Sequence, residues 1–120
     1  MEHSSLIAYC LRKSGTELKY PFDPHLPVLY VGSKMFALFG YSNDIPSVNL
    51  KAVPEEAYMQ REQYPGTVLP GYHMNKRHWN TVVLNGRVPE AVLHQMIDDS
   101  YLLVHQGLPK REKDQITGYI

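Results

Sequence analysis

One pattern constrains the architecture more than any other. From Pro89 to Gly107, Val92, Leu93, Met96, Ile97, Tyr101 and Val104 recur at i, i+3 and i+4, the period of an amphipathic helix. Pro89 suits the opening of that helix, and Gly107 the position just past its last turn. So long a single apolar stripe needs a second layer to cover it. The central part of the chain supplies strand-length runs. Val28-Leu29-Tyr30-Val31 and Met35-Phe36-Ala37-Leu38-Phe39 flank Gly32-Ser33 and read as a hairpin. Ser47 to Lys51 alternates, predicting Val48 and Leu50 inward with Ser47, Asn49 and Lys51 outward.

Two further helices complete the layer. Leu6, Ile7, Cys10 and Leu11 predict a helix over 4–14, with Arg12 and Lys13 complementing the dipole in its last turn and Gly15 ending it. Pro54, followed by Glu55 and Glu56, opens a helix to about Tyr64, which Pro65-Gly66 stops. A short strand at 67–72 and another from Trp79 to Leu84 follow, and Asn85-Gly86 is a turn pair. The charged stretch from Lys110 to Asp114 reads as a frayed or weakly helical tail. The predicted order is α-β-β-β-α-β-β-α. This is an α+β, two-layer, single-domain chain over 1–120, with an antiparallel sheet and its helices on one side.

Composition excludes several functions. Twelve basic and twelve acidic residues balance, so non-specific nucleic-acid binding has to rest on a local patch. The one cysteine, Cys10, forms no internal disulfide and no multi-cysteine metal site, which fits a reducing compartment. Met1-Glu2-His3-Ser4 carries no basic n-region, and no apolar run approaches the roughly 20 residues that span a bilayer. A cytoplasmic protein without membrane association is expected.

The segment Pro70 to Thr81 is the densest in binding chemistry. It holds Lys76 and Arg77, His73 and His78, the single Trp (Trp79), and Asn75 and Asn80. It leads into Val82-Val83-Leu84, which places it at the mouth of a strand. The run Gly71-Tyr72-His73-Met74-Asn75-Lys76-Arg77-His78-Trp79-Asn80-Thr81-Val82 resembles the MmcQ/YjbR family. So do Gly15-Thr16-Glu17, Lys34-Met35-Phe36-Ala37, Asn49-Leu50-Lys51, Arg61-Glu62-Gln63-Tyr64, Asp98-Asp99-Ser100-Tyr101 and Gly107-Leu108-Pro109. The resemblance covers roughly residues 6–112. It implies the α+β order read above, similar to the frataxin fold, and a DNA-binding label for the family. Fold analogy alone does not carry that label across. Two positions depart from the family pattern. Val53 stands where a capping residue is common, at a cost of about 1 kcal/mol, and Asn85-Gly86 followed by Arg87 replaces an Asp-Gly turn.

Three readings compete. In the first, Lys76 and Arg77 contact phosphates, Asn75 and Asn80 donate hydrogen bonds, and Tyr72 or Trp79 stacks on an unpaired base. His73, His78, Lys34, Lys51 and Arg87 extend that surface. Against it, Trp79 fills core while the Asn and His residues tie down the chain. Adjacent strand residues point oppositely, so one of Lys76 and Arg77 is expected against the sheet.

In the second, the chain is an enzyme or metal protein. His73 and His78 fall on opposite faces of a strand, and His94 and His105 lie about 16 Å apart along a helix. Asp98-Asp99 does not form a facing acid pair, and no Gly-rich phosphate loop or nucleophile elbow is present. A frataxin-like iron site would need an acidic first helix, where Arg12-Lys13 stand instead. No catalytic residue, metal or cofactor is expected.

In the third, the chain is a protein-interaction adaptor. The architecture also resembles small α/β chaperone folds, and nine Tyr exceed what one core absorbs. The expectation is a non-catalytic DNA-binding monomer of modest affinity acting through 72–80, with the adaptor as the alternative.

Overall fold

The computed structural model describes residues 3–71 and 74–116. The elements are α1 (His3–Leu11), β1 (Thr16–Lys19), β2 (Val28–Val31), β3 (Lys34–Ser42), β4 (Ile45–Lys51), α2 (Pro54–Gln63), β5 (Val68–Pro70), β6 (Trp79–Val83), α3 (Glu90–Gln106) and α4 (Lys110–Ile116). The strands form one antiparallel sheet in the order β1-β2-β3-β4-β6-β5. The α+β reading with helices on one side holds. One element was not expected, β1, whose four residues carry one aliphatic side chain; the tail read as frayed or weakly helical is the short helix α4.

α4 is held by specific contacts. The Glu112 carboxylate accepts from Ser33 N at 2.7 Å and from Ser33 Oγ at 2.9 Å, and Ile116 packs so closely on Gly15 that a Cβ there would lie 2.7 Å from its side chain.

The core lies between the helices and one sheet face. Leu29, Val31, Ala37, Phe39, Val48, Leu50, Val68 and Val82 meet Leu6, Cys10, Leu93, Ile97 and Val104. α3 packs across β3 and β4, and α2 against β5 and β6.

The β2–β3 ladder shifts register close to its Gly32-Ser33 turn. Leu29 pairs with Ala37 but Tyr30 with Met35, leaving Phe36 as the extra residue of a bulge. Ser100 of α3 enters there: its Oγ donates to the Phe36 carbonyl at 2.6 Å and accepts from Lys51 N at 2.9 Å. The bulge lets Phe36 turn into the core, edge-on to Tyr101 with ring centres 5.4 Å apart.

Burial does not follow the strand alternation everywhere. Ser47 was expected outward, yet it is buried. Val53 caps α2 without a side-chain hydrogen bond, as its type dictates. Among the described residues no helix is long and apolar enough to cross a membrane.

Candidate nucleic-acid interface

The segment before β6 is a turn, not a strand. His78 N and Trp79 N both donate to the Asn75 carbonyl, at 3.1 and 2.9 Å, and the Asn75 side chain accepts from Arg77 N at 3.0 Å. This side-chain turn is what Asn favours. The tight winding overturns the expectation that one of Lys76 and Arg77 lies against the sheet, because both are exposed. Arg61 of α2 donates through Nη2 to the Lys76 carbonyl. The His78 carbonyl accepts from Ala52 N at 2.9 Å, with its ring half-buried. Gly71 N donates to the Trp79 carbonyl at 2.8 Å. A Cβ on Gly71 would lie 2.9 Å from both that oxygen and the Trp79 Cβ, so no larger residue fits unless something shifts. Tyr72 and His73 lie outside the described residues.

Two expected site residues fall away. Asn80 is buried at 1% exposure on the helix-facing side. Its Nδ2 donates to the Ala57 carbonyl at 3.1 Å and to Gln60 Oε1 at 3.0 Å, and its Oδ1 accepts from Arg61 Nε at 2.7 Å. It is a strut between α2 and β6, with nothing left for a ligand. Arg87 is exposed but sits beyond the far end of β6, next to the Asn85 turn that receives its N–H. A strand's length therefore separates it from Lys76.

Three others are brought together. Lys51 pairs with Trp79 across β4 and β6, at the sheet end where β3 begins with Lys34. All three line a cavity of about 420 Å³, with Phe22, Tyr30 and Met35 on the open sheet face and Leu103 and Gly107 at the end of α3. Trp79 is half-buried here and is not part of the core cluster. Lys34 Nζ donates to the Gly107 carbonyl at 3.1 Å, one of the partial negative charges at the helix C-terminus. Lys19 reaches over the Tyr30 ring at 4.7 Å, with Glu17 3.9 Å from its ammonium.

A second cavity, about 640 Å³, continues along the same face and shares Phe22. Leu26, Val28, Leu38 and Leu69 give it apolar walls, and Thr81 Oγ1 donates to Asn49 Oδ1 at 2.5 Å on its floor.

Phe22, Tyr30 and Lys19 were missed by sequence reasoning. Phe22 carried a usable signal, since a large aromatic between Pro21 and Asp23 in a loop has no strand or helix to bury it. It is 65% exposed.

A separate polar cluster ties α1 to α3. Asp98 Oδ1 accepts from Tyr9 OH at 2.7 Å and pairs with the Lys13 ammonium. Lys13 is thus committed to an ion pair instead of the helix dipole, and Asp98 is not merely solvated. Burial, the hydrogen bond to Asp98 and its negative charge push the Tyr9 phenol up to about 12. Burial pushes the neighbouring Cys10 thiol up to about 12, against the lowering effect of Lys13. Groups so strongly protonated are poor nucleophiles at neutral pH. Among the described residues, no three His, Cys, Asp or Glu side chains are grouped to hold a metal ion.

The comparisons with known proteins agree with the fold. The chain is 36% identical over 114 residues to YbdF of Escherichia coli O157:H7, covering 95% of this chain and 93% of YbdF. It is 34% identical over 113 residues to YjbR of Escherichia coli K12, covering 94% and 95%. The crystal structure of Deinococcus radiodurans protein DR2400 superposes with a TM-score of 0.85 at 35% identity, over 93% of this chain and 85% of that one. The YjbR family model matches residues 11–103. With that match spanning most of its length, the chain belongs to the YjbR family.

Proposed function

We propose that this protein binds single-stranded nucleic acid along the open sheet face and performs no chemistry on it. The observation that carries the reading is the convergence of Lys34, Lys51 and Trp79 on one cavity with Phe22 and Tyr30. Ammonium groups beside the exposed Phe22 and the half-buried Tyr30 and Trp79 rings match a strand that offers phosphates and unpaired bases together. Stacking contributes about 1–3 kcal/mol per base and tolerates any sequence. The neighbouring apolar cavity extends the same track for bases, while Lys76 and Arg77, exposed in the turn that leads into Trp79, offer phosphate contacts. Among the described residues neither a long helix nor a β-ribbon projects from this face, so the major groove of a duplex finds no reader there. The zero net charge limits long-range attraction and keeps affinity modest.

The test is fluorescence anisotropy of labelled single- and double-stranded DNA at about 50 and about 200 mM salt. Tighter binding to the single strand is expected, with loss in Lys34→Glu/Lys51→Glu while circular dichroism stays native. A variant that binds like the wild type removes this face from consideration.

A further inference from the structure

α2 is turned the wrong way round for a helix that only covers a core. Its one buried residue is Ala57, while Tyr58 and Met59 project outward at 59% and 65% exposure. An amphipathic surface helix ordinarily directs its largest apolar groups inward. Next to it, Leu102 of α3 and Val53 before α2 are 44% and 41% exposed.

Between α2 and α3 run two depressions of about 220 and 320 Å³. They share Glu56 and Asp99 and so form one groove. Apolar side chains stand at both ends, Val53 and Leu102 at one and Met59 and Met96 at the other, with Gln60, Gln63, Gln95 and Gln106 also in its lining.

The charge of this groove has one sign. Glu56 and Asp99 lie at its centre, and among the described residues no lysine or arginine lines it. Arg61, the one arginine or lysine of α2 and α3, is turned away onto Asn80 and the Lys76 carbonyl. We propose that the groove between α2 and α3 is a docking site for a basic amphipathic helix of a partner protein.

The chemistry selects that occupant. Two parallel ridges with a trough between them accept a third helix by ridge-and-groove packing. Apolar anchors at i and i+7 would fill the two apolar ends, with a Lys or Arg midway meeting Glu56 and Asp99. Methionine walls adapt to the anchor's shape. The groove meets the 420 Å³ cavity only at Leu103 and shares none of its lysines or aromatic rings, so this inference stands apart from nucleic-acid binding.

The experiment titrates the isotope-labelled full chain with two synthetic helical peptides and follows amide and methionine-methyl shifts by NMR. The peptides share a Leu face; one carries Lys on its polar face and the other Glu. The Lys peptide is expected to give saturable shifts confined to α2, α3 and the Met59 and Met96 methyls. Glu56→Lys/Asp99→Lys is expected to weaken it about tenfold or more, and Glu56→Gln/Asp99→Asn by less. Lys34→Glu/Lys51→Glu should bind it unchanged. Equal binding of the Glu peptide, shifts centred on the open sheet face, or an unaltered affinity in Glu56→Lys/Asp99→Lys would each overturn the proposal.

Discussion

Arg61 Nε donates to Asn80 Oδ1 at 2.7 Å, joining α2 to β6 beneath the basic turn. The same guanidinium reaches the Lys76 carbonyl through Nη2. One side chain thus links a buried amide to an exposed loop, and each end depends on the other. Asn80→Ala leaves Arg61 Nε, the Ala57 carbonyl and Gln60 without their partner. A loss of about 2–3 kcal/mol follows from such orphaned groups. Urea unfolding should record it as a shift in midpoint at constant slope, with nucleic-acid affinity of the folded protein unchanged. If Asn80 were a ligand contact, the affinity would fall while the stability held.

Ser100 performs a similar service at the bulge. Its hydroxyl takes the Lys51 N–H and gives its own proton to the Phe36 carbonyl, both inside the protein. Ser100→Ala removes both partners and costs about 1–3 kcal/mol. Because Lys51 and Met35 line the cavity on either side of that splayed pair, amide exchange at Lys51 should quicken as well. Unaltered exchange there would mean that the two strands hold their spacing without the helix.

Much of this fold was legible because periodicity and turn chemistry agree locally. The α3 stripe, the Gly32-Ser33 hairpin and the Pro54 start each carry their own signal. β1 did not, since Thr16 to Lys19 offers Leu18 alone to a core. Its pairing with β2 is decided by a partner far along the chain. α4 was legible only as a frayed or weakly helical tail for the same reason. Its charged sequence gives no stripe, and its anchors, Glu112 on Ser33 and Ile116 on Gly15, are tertiary. The candidate site was half legible. Residue type marked Lys34, Lys51 and Trp79, but only strand register puts them at one cavity. Register also excludes Asn80, which faces the helices, and Arg87, at the other sheet end. Lys76 and Arg77 were misjudged because a strand rule was applied to residues that Asn75 winds into a turn.

That geometry separates cations of identical charge. Lys76→Ala/Arg77→Ala should weaken DNA binding about equally for all sequences. It should also lower the salt slope by about 1.4, since each of the two phosphate contacts on a single strand adds roughly 0.7. Arg87→Ala should leave affinity and slope as they were, since it lies at the opposite end of β6. Anisotropy titrations across salt measure both. An Arg87→Ala effect equal to that of the pair would mean a diffuse electrostatic surface instead of a track at one sheet end.

The junction of α1 with α3 gives the fold an alkaline limit. Tyr9 and Cys10 hold their protons up to about 12, against ordinary values of 10.0 and 9.0. Raised values mean that the folded chain binds those protons more tightly than the unfolded chain. The stability they contribute is fully present below about pH 9. It declines as pH climbs through 9 and 10 towards 12, because the unfolded chain ionises first. A phenolate at Tyr9 would face the Asp98 carboxylate it now donates to, and a thiolate at Cys10 would be charge buried in the core. Urea unfolding at about pH 8, 9.5 and 11 should therefore give falling midpoints. Tyr9→Phe deletes the titrating hydroxyl while keeping the ring stacked 3.8 Å from His94, so its midpoint should fall less steeply. Cys10 should resist a thiol reagent at neutral pH until the chain unfolds. A wild-type midpoint that is flat from pH 8 to 11, or rapid labelling of native Cys10, would show that neither group is held as its burial requires.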